Sequence, residues 1–319
     1  MAFRVLTQHE VERLLPMEEC VELMAEALAA LARREVFNPL RFVVRPPGEE
    51  TLMGLMPAHR AQPAPVYALK TVCIVPANPA RGLDAHQGSV TLFDGDTGEV
   101  RAIMNASAIT EIRTAAVSAV ATRLLARPGS RELAILGAGV QARSHLEAMR
   151  HVLDLDRVRV WSRTPGRAAA LGDVEEAATA EEAVRGADVV CTVTSSREPV
   201  LRREWLKPGA HVNAVGSSVP STRELDTATV AEAALFVDRR ESTVNEAGDY
   251  LVPLHEGAID SDHIRAEIGE VLVGEAEGRR SDDELTVFKS LGLAVEDLAA
   301  AEHVYRQARE TGTGTAVKF

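Results

Sequence analysis

One short string in the sequence has a spacing that dictates a chemistry: Gly137-Ala138-Gly139-Val140-Gln141-Ala142. An apolar run at 133–136 leads straight into it, and a helical pattern follows to about Met149. A Gly-x-Gly-x-x-Ala string between a strand and a helix is the context that a dinucleotide requires. Gly137 permits the tight turn. Gly139 lets the backbone N–H groups of the turn and of Val140 and Gln141 approach a pyrophosphate, and Ala142 keeps the helix close to the sheet. Outside that context the same glycines would be an ordinary α/β turn. The next strand, at 158–161, ends in Ser162-Arg163-Thr164 and offers no carboxylate for a ribose 2′-hydroxyl. A guanidinium flanked by two hydroxyls suits a 2′-phosphate instead. NADP(H) is therefore favoured over NAD(H), the alternative being that Arg163 is a solvated loop arginine. Further cofactor contacts, above all to the nicotinamide ribose, are expected where strands end: Thr192, Thr194 and Ser195, then Val215 and Gly216, then Lys289 and Ser290.

Other chemistries find little support. The three cysteines, Cys20, Cys73 and Cys191, are far apart and read as free thiols in a reducing compartment. None of the nine histidines forms a His-x-x-x-His pair, so no metal site is expected. With 35 Lys+Arg against 47 Asp+Glu the net charge is −12, and no basic block is present. Such a chain is a poor partner for nucleic acid. No apolar run approaches the ~20 residues that span a bilayer, and the N-terminal residues turn polar too soon for a signal peptide. A cytoplasmic protein without a membrane partner is expected.

The elements that must position these residues follow from the patterning. A chain of 319 residues, 46% hydrophobic and 26% charged, can bury a sizeable core and suggests two domains. Thr7 and Glu10 have the spacing of a capping box. Pro16, with Glu18 and Glu19 after it, opens a second helix, whose stripe Val21, Met24, Ala25, Leu28 and Leu31 runs to about Arg34. Short β-type runs at 41–45, 51–56, 67–74 and 89–93 come next, and Asp94-Gly95-Asp96-Thr97-Gly98 is a hairpin loop into 99–104. They suggest an antiparallel or mixed sheet packed on the first helices. Residues 107–127 read as a long helix with small residues Ala115, Ala116, Ala119 and Ala121, ended by Pro128-Gly129, where the texture changes. From there strands at 133–136, 158–161, 188–193, 211–215 and 234–237 alternate with helices, the signature of a parallel, doubly wound sheet. Residues 264–273 and 293–309 read as helices with a strand at 286–288 between them, and 311–319 as a frayed tail. Asp226 reads as the start or cap of the next helix, and His145 as filling on the helix after the glycine turn.

Six segments in order, Ala68-Leu-Lys70-Thr, His86-Gln87, Glu111-Ile-Arg113-Thr-Ala-Ala, the glycine string, Val212-Asn-Ala-Val-Gly216 and Phe288-Lys-Ser-Leu-Gly-Leu-Ala-Val-Glu-Asp297, span nearly the whole chain. Together they resemble the ornithine cyclodeaminase/mu-crystallin family. The resemblance implies an α/β fold: a Rossmann NAD(P)-binding domain at 119–295, and an α+β substrate and dimerisation domain at 1–118 closed by 296–319, in a homodimer. It implies that Arg41, Lys70 and Arg113 hold a substrate carboxylate, with His86 beside them and Lys70 in a catalytic role. Three cations on one anion would fix its orientation. Taken alone, Arg41 could be an exposed edge residue with Arg45 as its rival, and Arg113 could be a solvated helix face.

Where the family's ornithine cyclodeaminases carry an Asp after the Asn-Ala-Val-Gly-like strand, to take up the distal amine, this chain has Ser218. A serine is neither a carboxylate base nor a strong partner for ammonium. The ketimine reductase branch is similar to this chain there, with Ser in that place and an Arg-Thr pair after the second Rossmann strand. Ser218 would then orient a water or the ring nitrogen, and Asp226 is the substitute to consider. The expected activity is NADPH-dependent reduction of 1-pyrroline-2-carboxylate or 1-piperideine-2-carboxylate to L-proline or L-pipecolate. The alternatives are an NAD-dependent ornithine cyclodeaminase, an alanine-type dehydrogenase and a non-catalytic NADPH binder.

Overall fold

Two sheets organise the chain, and the computed structural model describes residues 2–318; Met1 and Phe319 lie outside the described residues. The strands are β1 (Ala2–Leu6), β2 (Val36–Phe37), β3 (Phe42–Val44), β4 (Leu52–Arg60), β5 (Val66–Ile74), β6 (His86–Asp94), β7 (Val100–Asn105), β8 (Glu132–Leu136), β9 (Arg157–Trp161), β10 (Glu175–Glu176), β11 (Val189–Thr192), β12 (His211–Ala214), β13 (Ala234–Val237), β14 (Ile264–Glu267), β15 (Thr286–Lys289) and β16 (Thr315–Lys318). The helices are α1 (Gln8–Leu14), α2 (Met17–Ala32), α3 (Ala106–Leu125), α4 (Val140–Val152), α5 (Ala180–Val184), α6 (Thr227–Glu232), α7 (Arg240–Glu246), α8 (Gly248–His255), α9 (Ile268–Leu272) and α10 (Ala294–Thr311). The compact units are Met1–Arg113 with Gly292–Phe319, and Thr114–Leu291. The change of texture near Arg127 marks the end of α3, whereas the division falls inside that helix. Pro128-Gly129 reports where a helix must stop; compactness reports what each of its turns packs against.

The first unit is a mixed sheet in the order β16-β1-β7-β6-β5-β4-β2, with β3 also on β4. Its β4 to β7 pairings are antiparallel, and β1 joins β7 in parallel. The expected capping box forms: Glu10 N–H donates to the Thr7 hydroxyl and Thr7 N–H to the Glu10 carboxylate at 2.9 Å. In β5 the alternation puts Val66, Ala68, Lys70 and Val72 on the buried face, so Lys70 occupies a position that sheet patterning reserves for an apolar side chain. Helix α10 packs on α2 and on β4 to β6 and ends at Gly312, whose φ of 71° supplies the left-handed cap. The predicted frayed tail is corrected. Residues Thr315–Lys318 form β16, antiparallel to β1 with Ala2 opposite Lys318. Pairing supplies the backbone partners that a dangling end would take from water.

The second unit is an all-parallel sheet in the order β10-β9-β8-β11-β12-β15-β13-β14. The chain runs outward from β8 through β9 to β10 on one side and from β11 onward on the other, so the strand order reverses between β8 and β11. One expectation fails here. Residues 264–273 are not one helix: Ile264–Glu267 is the edge strand β14 beside β13, and the helix is confined to Ile268–Leu272. Ile264 and Ala266 are buried in alternation, and a run this short satisfies both periods until a strand partner decides. Glu267 and Glu270 then form the capping box that starts α9. Among the described residues no helix is long and apolar enough to cross a membrane.

Candidate functional site

The glycine turn is built as its spacing requires. Gly137 has φ 124°, and a Cβ there would lie 2.8 Å from the Val193 carbonyl oxygen, so no side chain fits. Its N–H donates to the Trp161 carbonyl at 2.8 Å, which ties the turn to the end of β9. Gly139 is the N-cap of α4, no side chain caps that end, and a Cβ at Gly139 would meet nothing within 4 Å. Val140 is exposed, Gln141 half-buried and Ala142 fully buried. Open space in front of uncapped helix N–H groups fits a pyrophosphate. Arg163 and Thr164 are exposed after β9, while the Ser162 hydroxyl donates to the Thr164 carbonyl at 2.6 Å and shapes that loop. Gln141 Oε1 is buried without a hydrogen-bond partner, an acceptor left over beside the turn.

At the other strand ends the predicted contact residues divide into two groups. Ser195 is exposed, and Val215 and Gly216 are half-buried. Thr192 and Lys289 are turned inward instead. The Thr192 hydroxyl donates to Glu224 at 2.8 Å. The Lys289 ammonium lies 3.0 Å from Asp249 and 3.1 Å from the Ala214 carbonyl, at 1% exposure. Thr194 also donates to Glu224, and Ser290 is buried with its N–H on the Ala214 carbonyl at 3.0 Å. These side chains support the edge of the sheet from within. Ser218 is half-buried in the segment after β12, next to Ser217, whose hydroxyl donates to the Thr222 carbonyl at 2.5 Å. Asp226 is no substitute for a carboxylate at Ser218. It caps α6, taking the Thr229 N–H at 2.9 Å and the Arg203 N–H at 3.2 Å.

The first unit gathers the cations. The Lys70 ammonium lies 3.1 Å from Asp297 Oδ1. Arg113 reaches the same oxygen at 3.2 Å through Nε and Glu296 at 2.7 Å through a terminal nitrogen. Arg41 donates to the Gly292 carbonyl at 3.2 Å. Lys70, Arg113, Glu296 and Asp297 are all buried, and Arg41 is half-buried. Gly292, at φ 79°, is irreplaceable on two counts, because a Cβ would also collide with the Arg113 guanidinium. Asn38 accepts the Val295 N–H at 2.8 Å and so fixes the first turn of α10, which carries both carboxylates. The alternatives that Arg113 is a solvated face and Arg41 an exposed edge residue both fall, since Arg113 is buried and Arg41 half-buried, and Arg45 is exposed on the surface.

The electrostatics follow from burial. Desolvation pushes the Lys70 ammonium down to about 8; the Asp297 carboxylate opposes this, and the Arg113 and Arg41 charges add to it. His86 remains reachable by solvent, yet desolvation by the surrounding protein, then Lys70 and Arg113, pushes its imidazole down to about 4. It is neutral at pH 7 and a donor or acceptor rather than a fourth cation. Lys70 and Arg113 thus meet the two carboxylates of the α10 turn, and Arg41, on the Gly292 carbonyl, is near enough for its charge to act on Lys70. Asp297 Oδ2 is buried with no hydrogen-bond partner. The arrangement can seat one carboxylate anion and offer a protonated amine beside it.

Sequence patterning assigns no role to Glu296 and Asp297, nor to Glu224 and Asp249. The available signal is two adjacent carboxylates inside the otherwise apolar stretch 291–301, where neither can be a solvated face. Replacing Asp297 by Ala removes the carboxylate that the buried Lys70 and Arg113 share. Urea unfolding of D297A is expected to show a loss of about 3–5 kcal/mol, the cost of stranding a buried charge.

A model of the ornithine cyclodeaminase/mu-crystallin family matches residues 2–312. The mouse protein "Ketimine reductase mu-crystallin" is 45% identical over 275 residues, 85% of each chain. The structure of Thermococcus litoralis Delta(1)-pyrroline-2-carboxylate reductase in complex with NADH and L-proline superposes with a TM-score of 0.95 at 35% identity, over 99% of this chain and 100% of that one. An archaeal alanine dehydrogenase dimer with bound NAD follows at 0.94 and 34%, over the whole of both chains. With the glycine turn, the cation cluster and these likenesses in agreement over the full length, the chain belongs to the ornithine cyclodeaminase/mu-crystallin family.

Proposed function

We propose that this chain is a cytoplasmic NADPH-dependent imine reductase that converts a small cyclic 2-imino acid, 1-pyrroline-2-carboxylate or 1-piperideine-2-carboxylate, to L-proline or L-pipecolate. The observation that carries this reading is the buried cluster in which Lys70 and Arg113 share Asp297 and the charge of Arg41 is felt at Lys70. The names of the mouse and Thermococcus relatives support it. Arg113 and Arg41 grip the substrate carboxylate, and the planar guanidinium fixes its orientation. Lys70, protonated near neutral pH, gives its proton to the ring nitrogen of the imine, so that the ring becomes the iminium and Lys70 the neutral amine. His86 is neutral and lines the same pocket. When bound, the reduced nicotinamide supplies the hydride that the C=N carbon accepts. Ser218 orients the ring nitrogen or a water. Ornithine cyclodeamination is disfavoured, because Ser218 stands where a carboxylate is needed and Asp226 is committed to its helix cap.

The first test is a panel of the two cyclic imines, ornithine, and pyruvate with ammonia, each with NADPH and NADH. Oxidation of NADPH by at least one imine is expected; ammonia release from ornithine with catalytic NAD, and no imine turnover, would overturn the assignment. A group whose folded pKa is depressed below its usual value loses its proton early as pH rises. The rate of reduction is therefore expected to fall as pH rises through about 8, and Lys70→Met to remove that limb together with most of the activity.

Arg163 and Thr164, exposed after β9 with no carboxylate beside them, favour the 2′-phosphate. Arg163→Ala is expected to raise the KM for NADPH by about tenfold, the loss of one charge-assisted pair, with the KM for NADH unchanged. Equal effects on both cofactors would make Arg163 a bystander.

We infer a homodimer from the first unit's sheet. Phe37, Phe42, Val44, Met53 and Tyr67 are exposed on the neighbouring strands β2 to β5 and, by register, share one side of the sheet, an apolar face that a second copy would cover. Light scattering is expected to give twice the chain mass of 34.3 kDa, and Val44→Glu to halve it. A wild-type monomer would refute the dimer.

A further inference from the structure

Four donors converge on one buried carboxylate in the second unit. Glu224 Oε1 accepts the Thr194 N–H at 2.6 Å and the Thr194 hydroxyl at 2.7 Å. Its Oε2 accepts the Gly216 N–H at 2.7 Å and the Thr192 hydroxyl at 2.8 Å. Those donors belong to two separate segments, the one leaving β11 and the one leaving β12. Glu224 is itself held from behind. Asp249 accepts the backbone N–H groups of Glu224 and Leu225 at 2.8 and 3.0 Å, and Lys289, at the end of β15, pairs with Asp249. One carboxylate and its support thus join the ends of three adjacent parallel strands. Burial and the neighbouring Asp249 push the Glu224 carboxyl up; Lys289 and the Thr194 donors pull it back. Two of the four donors are backbone N–H groups, which can only donate, and the ionised carboxylate, which only accepts, can take all four.

The segment after β11 also packs on the glycine turn, where the Val193 carbonyl occupies the space a Cβ of Gly137 would need. Gly216 is bound equally closely, since a Cβ there would collide with the Thr194 carbonyl. In a doubly wound sheet the strands on the glycine-turn side hold the adenosine half of a dinucleotide, and those beyond the reversal of strand order hold the other half. We propose that Glu224 is a positioning residue for the nicotinamide half of the cofactor, holding the segments after β11 and β12 in the one arrangement that forms its seat. It touches neither cofactor nor substrate. The inference rests on the nicotinamide-dinucleotide reading but not on the choice of substrate.

The test compares binding of NADPH and NADH with binding of the matching fragments that lack nicotinamide, 2′-phospho-ADP-ribose and ADP-ribose, in the full chain without substrate. In Glu224→Gln an amide NH2 faces donors. The Kd of the intact cofactor is expected to rise by about tenfold, the weight of a hydrogen bond to a charged group, while the fragment Kd stays within about twofold and the Tm falls only slightly. Glu224→Asp, too short to reach both segments, is expected to loosen the intact cofactor without restoring it. Equal loosening of cofactor and fragment, or no change in either, would overturn the proposal. Should Glu224→Gln fail to fold, Thr194→Val decides. It removes one of the four donors and keeps the backbone, so selective loosening of the intact cofactor supports the assignment and its absence refutes it. None of these readouts needs an imine, so a failed reductase assay and a failed positioning role are separately visible.

Discussion

A lysine and an arginine cannot be buried beside each other unless carboxylates are buried with them. Lys70 comes from the middle of β5 and Arg113 from α3, and neither segment supplies the carboxylates that these two meet. Both partners come from the first turn of α10, far along the chain: Lys70 and Asp297 are separated by 227 positions and Arg113 and Glu296 by 183. The C-terminal segment must therefore return to the first unit, and the division of the chain into two units records that return. The segment leading into the same turn supplies Gly292, whose carbonyl takes Arg41 and whose missing side chain leaves room for Arg113. Buried cations are in this way assembled on carboxylates that arrive from the far end of the chain, and burying Lys70 and Arg113 without them would cost more than the fold can supply.

The second unit uses the same device in the opposite sense. There the buried anion, Glu224, is stabilised mainly by backbone and hydroxyl donors, and the buried cation, Lys289, serves as a brace through Asp249 rather than as a ligand. Charge is spent on fixing loops at the carboxyl ends of strands. That explains why Thr192 and Lys289, at the strand ends where ligands usually lie, face inward while Ser195 remains exposed.

Much of this is legible in the residues, in proportion to how local each signal is. The glycine turn, the capping box at Thr7 and the parallel alternation are written within a few positions, and they appear where their spacing puts them. The apolar alternation around Lys70 is enough by itself to mark that lysine as buried. The failures share one cause. Ile264–Glu267 is a strand because β13 offers it an edge, and Thr315–Lys318 because β1 does; neither run carries its partner in its own sequence. The counter-charge Glu224 escapes notice for the same reason, and for Glu296 and Asp297 the apolar stretch around them shows burial but not the cations they meet. Helices α7 and α8 lack any distinctive stripe and give no sign of themselves.

The choice among the family's chemistries reduces to a count of charges at named atoms. Reduction of a cyclic imino acid needs one anion seated and one nitrogen given a proton, and Arg41, Lys70 and Arg113 offer guanidinium groups for the first and one titrating ammonium for the second. Ornithine brings a second, distal ammonium, and a carboxylate must receive it. The position that would supply that carboxylate is Ser218. Of the two carboxylates that follow it, Glu224 is engaged by its four donors, and Asp226 already accepts backbone N–H groups from Thr229 and Arg203, so that swinging it away would uncap α6 at a cost of about 1 kcal/mol before the ammonium is desolvated. A substrate whose only charges are one carboxylate and one ring nitrogen meets no such penalty.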